Sequence, residues 1–275
     1  SKIQKENLIM AEKQTSNSGQ FDRRIVEDRR KTADHPDIKS MTLEELTEWV
    51  TGIGEKPFRA KQLYSWLHEH LAGAWEEMTN LPKSLRESGK AHPIVCLEKV
   101  DEQISAIDGT RKYLFRLEDG NVIESVLMRY KHGNSVCISS QVGCRMGCRF
   151  CASALGGLTR SLRASEMLDQ IYRIQSITGE RVSNVVVMGT GEPLDNYDNL
   201  LRFIHILTGE GGLHISQRNL TVSTCGLAER IYDLAKENLQ ITLALSLHAP
   251  NDVKRRELMP IANRYSMDEV LEACR

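Results

Sequence analysis

From residue 135 onward the chain alternates a short apolar run, a loop and an amphipathic stretch, four times over. That rhythm restricts the fold more than any other feature. The apolar runs cover 135–140, 184–188, 220–223 and 241–247, and the helical stretches cover 165–177, 199–207, 227–237 and 267–274. Val185-Val186-Val187-Met188 has no polar interruption, as a strand covered on both faces requires. Strands separated by crossover helices pair in parallel, so the expected class is α/β, a partial parallel (βα) barrel with four βα units present. The last helix, capped by Ser266 and Glu269, runs to Arg275, and the C-terminal units of such a barrel are expected to be missing.

The chain before residue 135 divides by composition. Residues 1–40 carry dense mixed charge (Arg23, Arg24, Glu27, Asp28, Arg29, Arg30, Lys31) and are expected to form a poorly ordered polar lead-in. Residues 41–92 predict a small helical accessory domain. Thr42-Leu43-Glu44-Glu45 has capping-box spacing, and Gly52 and Gly54 stop the helix it starts. A second helix is expected over 58–71 with Phe58, Leu63, Trp66 and Leu67 buried, and a short third one after Pro82. Asp108-Gly109 and Asp119-Gly120 are hairpin signals, so 93–133 predicts a three-stranded β-meander with strands near 113–117 and 122–128. The parallel unit then occupies 134–275.

Composition narrows the function. Hydrophobic residues make up 40% of the 275 and aromatics only 5%, so the core must be largely aliphatic. A net charge of −1 excludes a uniformly basic nucleic-acid binder, though not a local basic stripe. No apolar run reaches the roughly 20 residues a bilayer span needs, and residues 1–20 lack a signal-peptide core, so a cytoplasmic protein without a membrane partner is expected. Seven cysteines, three of them within eight residues, fit metal binding better than a disulfide framework.

Those three lie in Cys144-Arg145-Met146-Gly147-Cys148-Arg149-Phe150-Cys151, a loop following the first strand of the series. Thiolates at this C-x3-C-x2-C spacing suit an iron–sulfur cluster or zinc. A closed zinc site or a ferredoxin cluster wants four ligands, whereas three thiolates leave one iron open for a substrate to chelate. Glycines at 143 and 147 would let the backbone wrap a bulky group.

A second constellation, Gly189-Thr190-Gly191-Glu192-Pro193, follows the second strand. Its glycines permit close backbone approach to a ligand, and Glu192 could receive an ammonium group; on its own the segment is a weak signal and better read as an ordinary βα turn. Ser223-Thr224 and Ser246-Leu247-His248 follow the third and fourth strands. Polar groups at successive strand ends gather at one rim, where β/α barrels build their active sites.

The cysteine spacing with Phe150 before the last cysteine resembles the signature of radical S-adenosylmethionine enzymes. The runs Val136-Cys137-Ile138-Ser139-Ser140-Gln141, Met188 to Leu194, Val222-Ser223-Thr224 and Ser246 to Asp252 together resemble the RlmN family, from about Thr42 to the last residue. The resemblance implies a partial (βα)6 barrel behind a helical domain and a β extension. It implies a [4Fe–4S] cluster on Cys144, Cys148 and Cys151, and S-adenosylmethionine contacted by Gly191, Glu192, Ser223, Ser246, Leu247 and His248. It assigns Glu124 as the base that removes the adenine C2 proton, and Cys137 as the thiol that resolves a covalent RNA adduct by forming a disulfide. Without the resemblance Glu124 would be a solvent-facing strand carboxylate and Cys137 a small buried hydrophobe. The implied product is 2-methyladenosine in 23S rRNA and certain tRNAs, made by a cytoplasmic monomer that draws electrons from a donor such as flavodoxin or ferredoxin.

The family's methyl-carrying cysteine is expected beyond Arg275, and Cys225 and Cys274 are read as structural. The chain by itself is therefore expected to bind its cofactors imperfectly and not to complete methylation. A Cfr-like enzyme acting on adenine C8 is the nearest alternative; Val142, where Cfr-like sequences carry cysteine, favours C2. A non-catalytic iron–sulfur or RNA-binding module is the alternative of another class. Arg145, Arg149, Arg160 and Arg163 surround the cysteine loop as a phosphate-binding group or as a solvated charged face.

Overall fold

The computed structural model describes residues 37–275, so the described chain begins before Thr42. The charged run at 23–31 lies outside the described residues. Asp37 caps a 3-10 turn, Ile38–Ser40, whose residues are buried, so the last part of the expected lead-in belongs to the core. The reason is a polar knot that sequence spacing cannot show. Lys39 is buried and pairs with Asp169 at 2.6 Å, while its ammonium also donates to the Val95 carbonyl. The second Asp169 oxygen accepts from the Leu97 N–H at 2.6 Å. Burial pushes the Asp37 carboxyl up, against hydrogen bonds from Ser165 and Ser40.

Three helices follow: α1 (Leu43–Gly52), α2 (Phe58–His68) and α3 (Lys83–Gly89). The capping box at Thr42 is formed in both directions, 3.3 Å from the Glu45 N–H to Oγ1 and 2.8 Å from the Thr42 N–H to the Glu45 carboxylate. The buried face of α2 is Ala60, Leu63, Tyr64, Leu67 and His68. Phe58 is exposed, contrary to the pattern-based expectation, because it starts the helix off that stripe and its ring stacks under the Arg59 guanidinium at 4.7 Å.

The strands are β1 (Glu98–Ile104), β2 (Arg111–Arg116), β3 (Val122–Tyr130), β4 (Gly133–Cys137), β5 (Gln141–Gly143), β6 (Leu158–Ser161), β7 (Val182–Val187), β8 (Leu220–Thr224) and β9 (Thr242–Leu245). Five more helices cross between or follow them: α4 (Ala164–Thr178), α5 (Tyr197–Thr208), α6 (Ala228–Lys236), α7 (Asp252–Leu258) and α8 (Met267–Ala273). One seven-stranded sheet runs β1-β2-β3-β4-β7-β8-β9, antiparallel from β1 to β4 and parallel from β4 to β9. This open, mixed sheet carries the expected parallel series. The meander, however, has four strands rather than three, because β4 closes it and also opens the parallel part. The short β5–β6 pair and α7 were not expected from the sequence pattern.

The register divides the sheet's two faces. Ile123, Leu127, Val136, Val185, Leu220 and Val222 share one core with Leu168 and Ile171 of α4 and Phe203 and Leu207 of α5. Opposite them, the pairs Val126–Cys137, Cys137–Val186 and Val186–Thr221 put Glu124, Cys137 and Ser223 together on the other face. Gln170 of α4 reaches the end of β4: its Oε1 accepts from Ser125 Oγ and the Ser139 N–H, both at 2.8 Å, and its Nε2 donates to the Ser139 carbonyl at 2.9 Å. No helix among the described residues is long and apolar enough to cross a membrane.

Two outcomes follow from the buried groups. Asp169→Asn leaves Lys39 as an unpaired buried charge and should cost about 3–5 kcal/mol in urea unfolding at neutral pH. His68, fully buried with its Nδ1 2.9 Å from Tyr172 Oη, has its pKa pushed down to about 3 by burial and by the charge of Lys39. The unfolded chain takes up that proton below about pH 6.5 while the folded chain does not, so stability is lost as pH falls from there. Comparing His68→Phe with the parent should reveal a slope from this residue alone of about 1.4 kcal/mol per pH unit between pH 6 and 4, absent in the variant.

Candidate active site

The cysteine loop is a bridge between β5 and β6 and is pinned by backbone bonds at both ends. Cys144 N–H donates to the Gly157 carbonyl at 2.9 Å, and Arg149 N–H reaches the Leu258 carbonyl at the end of α7 at 2.9 Å. Gly143 sits at φ 75°, and a Cβ there would lie 1.9 Å from the Gly157 oxygen. Its lack of a side chain permits this close backbone approach.

Cys144, Cys148 and Cys151 line one cleft together with Glu192, Ser223, Ser246 and His248. The cleft opens at the C-terminal ends of β7, β8 and β9, the rim expected from the strand order. Among the described residues no three His, Cys, Asp or Glu side chains stand close enough to hold a single metal ion. The three cysteines line one shared space. Burial pushes the Cys144 and Cys148 thiols up. Binding a cationic group would reverse that by drawing off their protons. A fourth thiol, Cys225, also lines the cleft, but burial and the adjacent Glu192 carboxylate push it far up, which keeps it protonated.

Glu192 is 3% exposed. Its two oxygens accept from the Cys225 N–H at 2.8 Å and the Leu194 N–H at 3.1 Å. Burial pushes its carboxyl up, and these donors oppose the shift. The Thr224 and Cys225 side chains donate to it as well, so a ligand ammonium would have to share or displace these donors. Beyond it, Ser223 and Ser246 hydroxyls meet at 3.2 Å across β8 and the end of β9. His248 sits against Phe150 of the cysteine loop, ring centroids 4.7 Å apart, at φ 56°. A non-glycine residue held in that region is typical of ligand clamps. Leu247 lies between these two residues without lining the cleft.

Cys137 is half-buried at the end of β4, its thiol pushed up by burial. Glu124 shares its sheet face and pairs with Lys112 at 2.9 Å with half its side chain exposed. Neither residue lines the cleft itself. The arginines around the loop are mostly engaged internally: Arg145 with Asp195, Arg160 with Asp119 and Glu166, Arg163 with Glu118 and Glu166. Sequence reasoning gave no part to Arg255. It is fully buried, and its guanidinium donates to the Cys225 carbonyl at 2.6 Å, which holds the turn that presents the Cys225 N–H to Glu192. The only sequence signal for it was an arginine in the short amphipathic run after Asn251. Cys274, read as structural, is exposed.

Two family models match the chain. Residues 138–275 match the radical SAM superfamily, and residues 37–95 match the ribosomal RNA large subunit methyltransferase N-terminal domain. A parallel sheet whose strand ends meet a three-cysteine loop and a glycine–glutamate turn is the radical SAM class of enzyme, which uses a [4Fe–4S] cluster and S-adenosylmethionine. A probable dual-specificity RNA methyltransferase RlmN of Lachnospira eligens is 65% identical over 87% of this chain and 69% of its own length. A second, from Lachnoclostridium phytofermentans, is 61% identical over 86% of this chain and 67% of its own. The crystal structure of a radical SAM methyltransferase from Sphaerobacter thermophilus superposes with a TM-score of 0.82 at 43% identity, covering 88% of this chain and 72% of that one. The chain belongs to the RlmN family of dual-specificity RNA methyltransferases.

Gly143→Ala should lower stability by about 1–3 kcal/mol in thermal or urea unfolding, since both its φ and the Gly157 carbonyl oppose a side chain. The variant should also take up less iron on anaerobic reconstitution, because that carbonyl anchors Cys144.

Proposed function

We propose that the chain carries the radical-generating site of an RNA adenine-C2 methyltransferase acting on 23S rRNA and tRNA. The observation that carries this reading is the convergence of Cys144, Cys148, Cys151, Glu192, Ser223, Ser246 and His248 on one cleft, with Glu124 and Cys137 on the adjoining sheet face. The three thiolates would hold a [4Fe–4S] cluster. When bound, that cluster supplies the electron for reductive cleavage of S-adenosylmethionine.

The remaining roles belong to side chains. Glu192 accepts the cofactor's ammonium group in a dry pocket where a carboxylate attracts it strongly. The Ser223 and Ser246 hydroxyls and the segment through Leu247 and His248 bind its polar and aromatic parts, with Gly191 giving backbone access. Glu124, steered by Lys112, takes the C2 proton of an adenine on the same face. Cys137, one strand away, supplies the thiol that resolves the covalent RNA adduct. It attacks the sulfur of the methyl-carrying cysteine, the S–S bond forms as the S–CH2 bond breaks, and the released carbon takes a proton to become the methyl group. Electrons come from a flavodoxin- or ferredoxin-type donor, and the protein works as a cytoplasmic monomer. Val142, buried in β5, occupies the position that favours C2 over a Cfr-like C8 outcome.

Anaerobic reconstitution with iron and sulfide, followed by dithionite and S-adenosylmethionine, should release 5′-deoxyadenosine. Cys148→Ala should abolish that release, and Glu192→Gln should weaken cofactor binding about tenfold or more in equilibrium dialysis. A cluster that forms yet leaves the cofactor intact would sink the enzymatic reading in favour of a binding module. Mass spectrometry of nucleosides from RNA of cells producing the protein separates 2-methyladenosine from the 8-methyl product.

A further inference from the structure

Gln141 and Arg145 flank Cys144 on either side, and both side chains end on Asp195, three residues after Glu192. Gln141, fully buried, accepts from the Glu192 N–H at 2.9 Å through Oε1 and donates to Asp195 Oδ2 at 3.0 Å through Nε2. Arg145 donates to the other oxygen, Oδ1, through Nε at 3.1 Å and through Nη2. The Asp195 N–H in turn donates to the Glu192 carbonyl at 3.1 Å. The Asp195 side chain is only 9% exposed, although it stands in the first turn after a surface loop. An ordinary solvated helix-start carboxylate has no need of an arginine and a buried amide together.

We infer that Asp195 is a positioning residue that fastens the cysteine loop to the glycine–glutamate turn, setting the cluster thiolates at a fixed distance from the carboxylate that grips S-adenosylmethionine. The inference rests on the proposed roles of Cys144 and Glu192. The strand leading into the loop also meets that turn, the Ser140 and Gln141 N–H groups donating to the Thr190 carbonyl at 2.9 and 3.1 Å. From Cys144 onward, however, the loop's backbone bonds run to Gly157 and Leu258, and the Arg145–Asp195 pair is its tie to the turn. Charge-assisted bonds of the Arg–carboxylate kind are directional as well as strong, so the link sets geometry. A cofactor that must touch an open iron and Glu192 at once is sensitive to that separation.

The test compares anaerobically reconstituted parent, Asp195→Asn, Arg145→Met and the double variant. Iron and sulfide content, thermal midpoint, S-adenosylmethionine Kd and the electron paramagnetic resonance spectrum of the reduced cluster with and without S-adenosylmethionine are measured. Both single variants should keep parental iron content yet bind the cofactor about tenfold more weakly and lose much of its spectral effect on the cluster. The double variant should be no worse than the worse single, as expected of one shared link. Arg145 is largely exposed, so its variant reports even if Asp195→Asn fails to fold. Kd and spectra within twofold of the parent overturn the link, as does cofactor binding that falls only in step with iron content. A parent that assembles a cluster but shows no response to the cofactor overturns the functional reading itself, and the link with it.

Discussion

β4 pairs with two neighbours in opposite senses, antiparallel to β3 and parallel to β7, and the geometry of the site rests on that double pairing. It welds the meander to the parallel series as one sheet. It places Cys137 in register with Val126 on one side and Val186 on the other. It also sends the chain out of the strand directly beneath the cysteine loop. Buried β4 has no slack in register, since a slip of one residue would turn Val136 outward and Cys137 into the helix-facing core. Gln170 adds a side-chain clamp at the point where the strand ends, taking both backbone groups of Ser139.

Around that strand the protein uses buried polar groups as fasteners in three places. Lys39 and Asp169 tie the 3-10 turn at Ile38–Ser40 and the start of β1 to α4. Arg255 holds the turn after β8 so that its N–H meets Glu192. Gln141 and Asp195 join the cysteine loop to the turn after β7. Each bonds to partners distant in sequence, and directional bonds of that kind fix an arrangement once the groups are buried. The cleft walls are thereby set by charge and hydrogen bonding, while the helix-facing side of the sheet is set by aliphatic packing.

Much of the fold was legible because local periodicity and capping are written residue by residue. The capping boxes at Thr42 and Ser266 show in residue spacing, the helices α4 and α5 in a period of 3.6, β8 in a period of 2, and β7 in its uninterrupted apolar run. Phe58 misled because an apolar residue at a helix start is counted in the stripe although it lies off it. The short β5–β6 pair and α7 were missed because three to seven residues carry too little periodicity to be read. Within the site, the cysteines, Glu192, Ser223, Ser246 and His248 announced themselves by residue type at strand ends. Asp195 and Arg255 did not, since an aspartate in a turn and an arginine in a helix are ordinary until their partners are known.

The sequence by itself determined the strand and helix series, the three thiols at their spacing and the carboxylate after the glycine turn. These depend on neighbours within a few positions, where backbone geometry and side-chain chemistry act directly. Only the tertiary structure decided that the meander and the parallel strands are one sheet, that Glu124 and Cys137 share a face, and that the Cys144 loop is tied to Glu192 through Asp195. Those outcomes depend on pairings across some 10 to 54 positions, from β3 with β4 to Gln141 with Asp195. Such pairings are selected by burial and hydrogen-bond completion once the chain has packed.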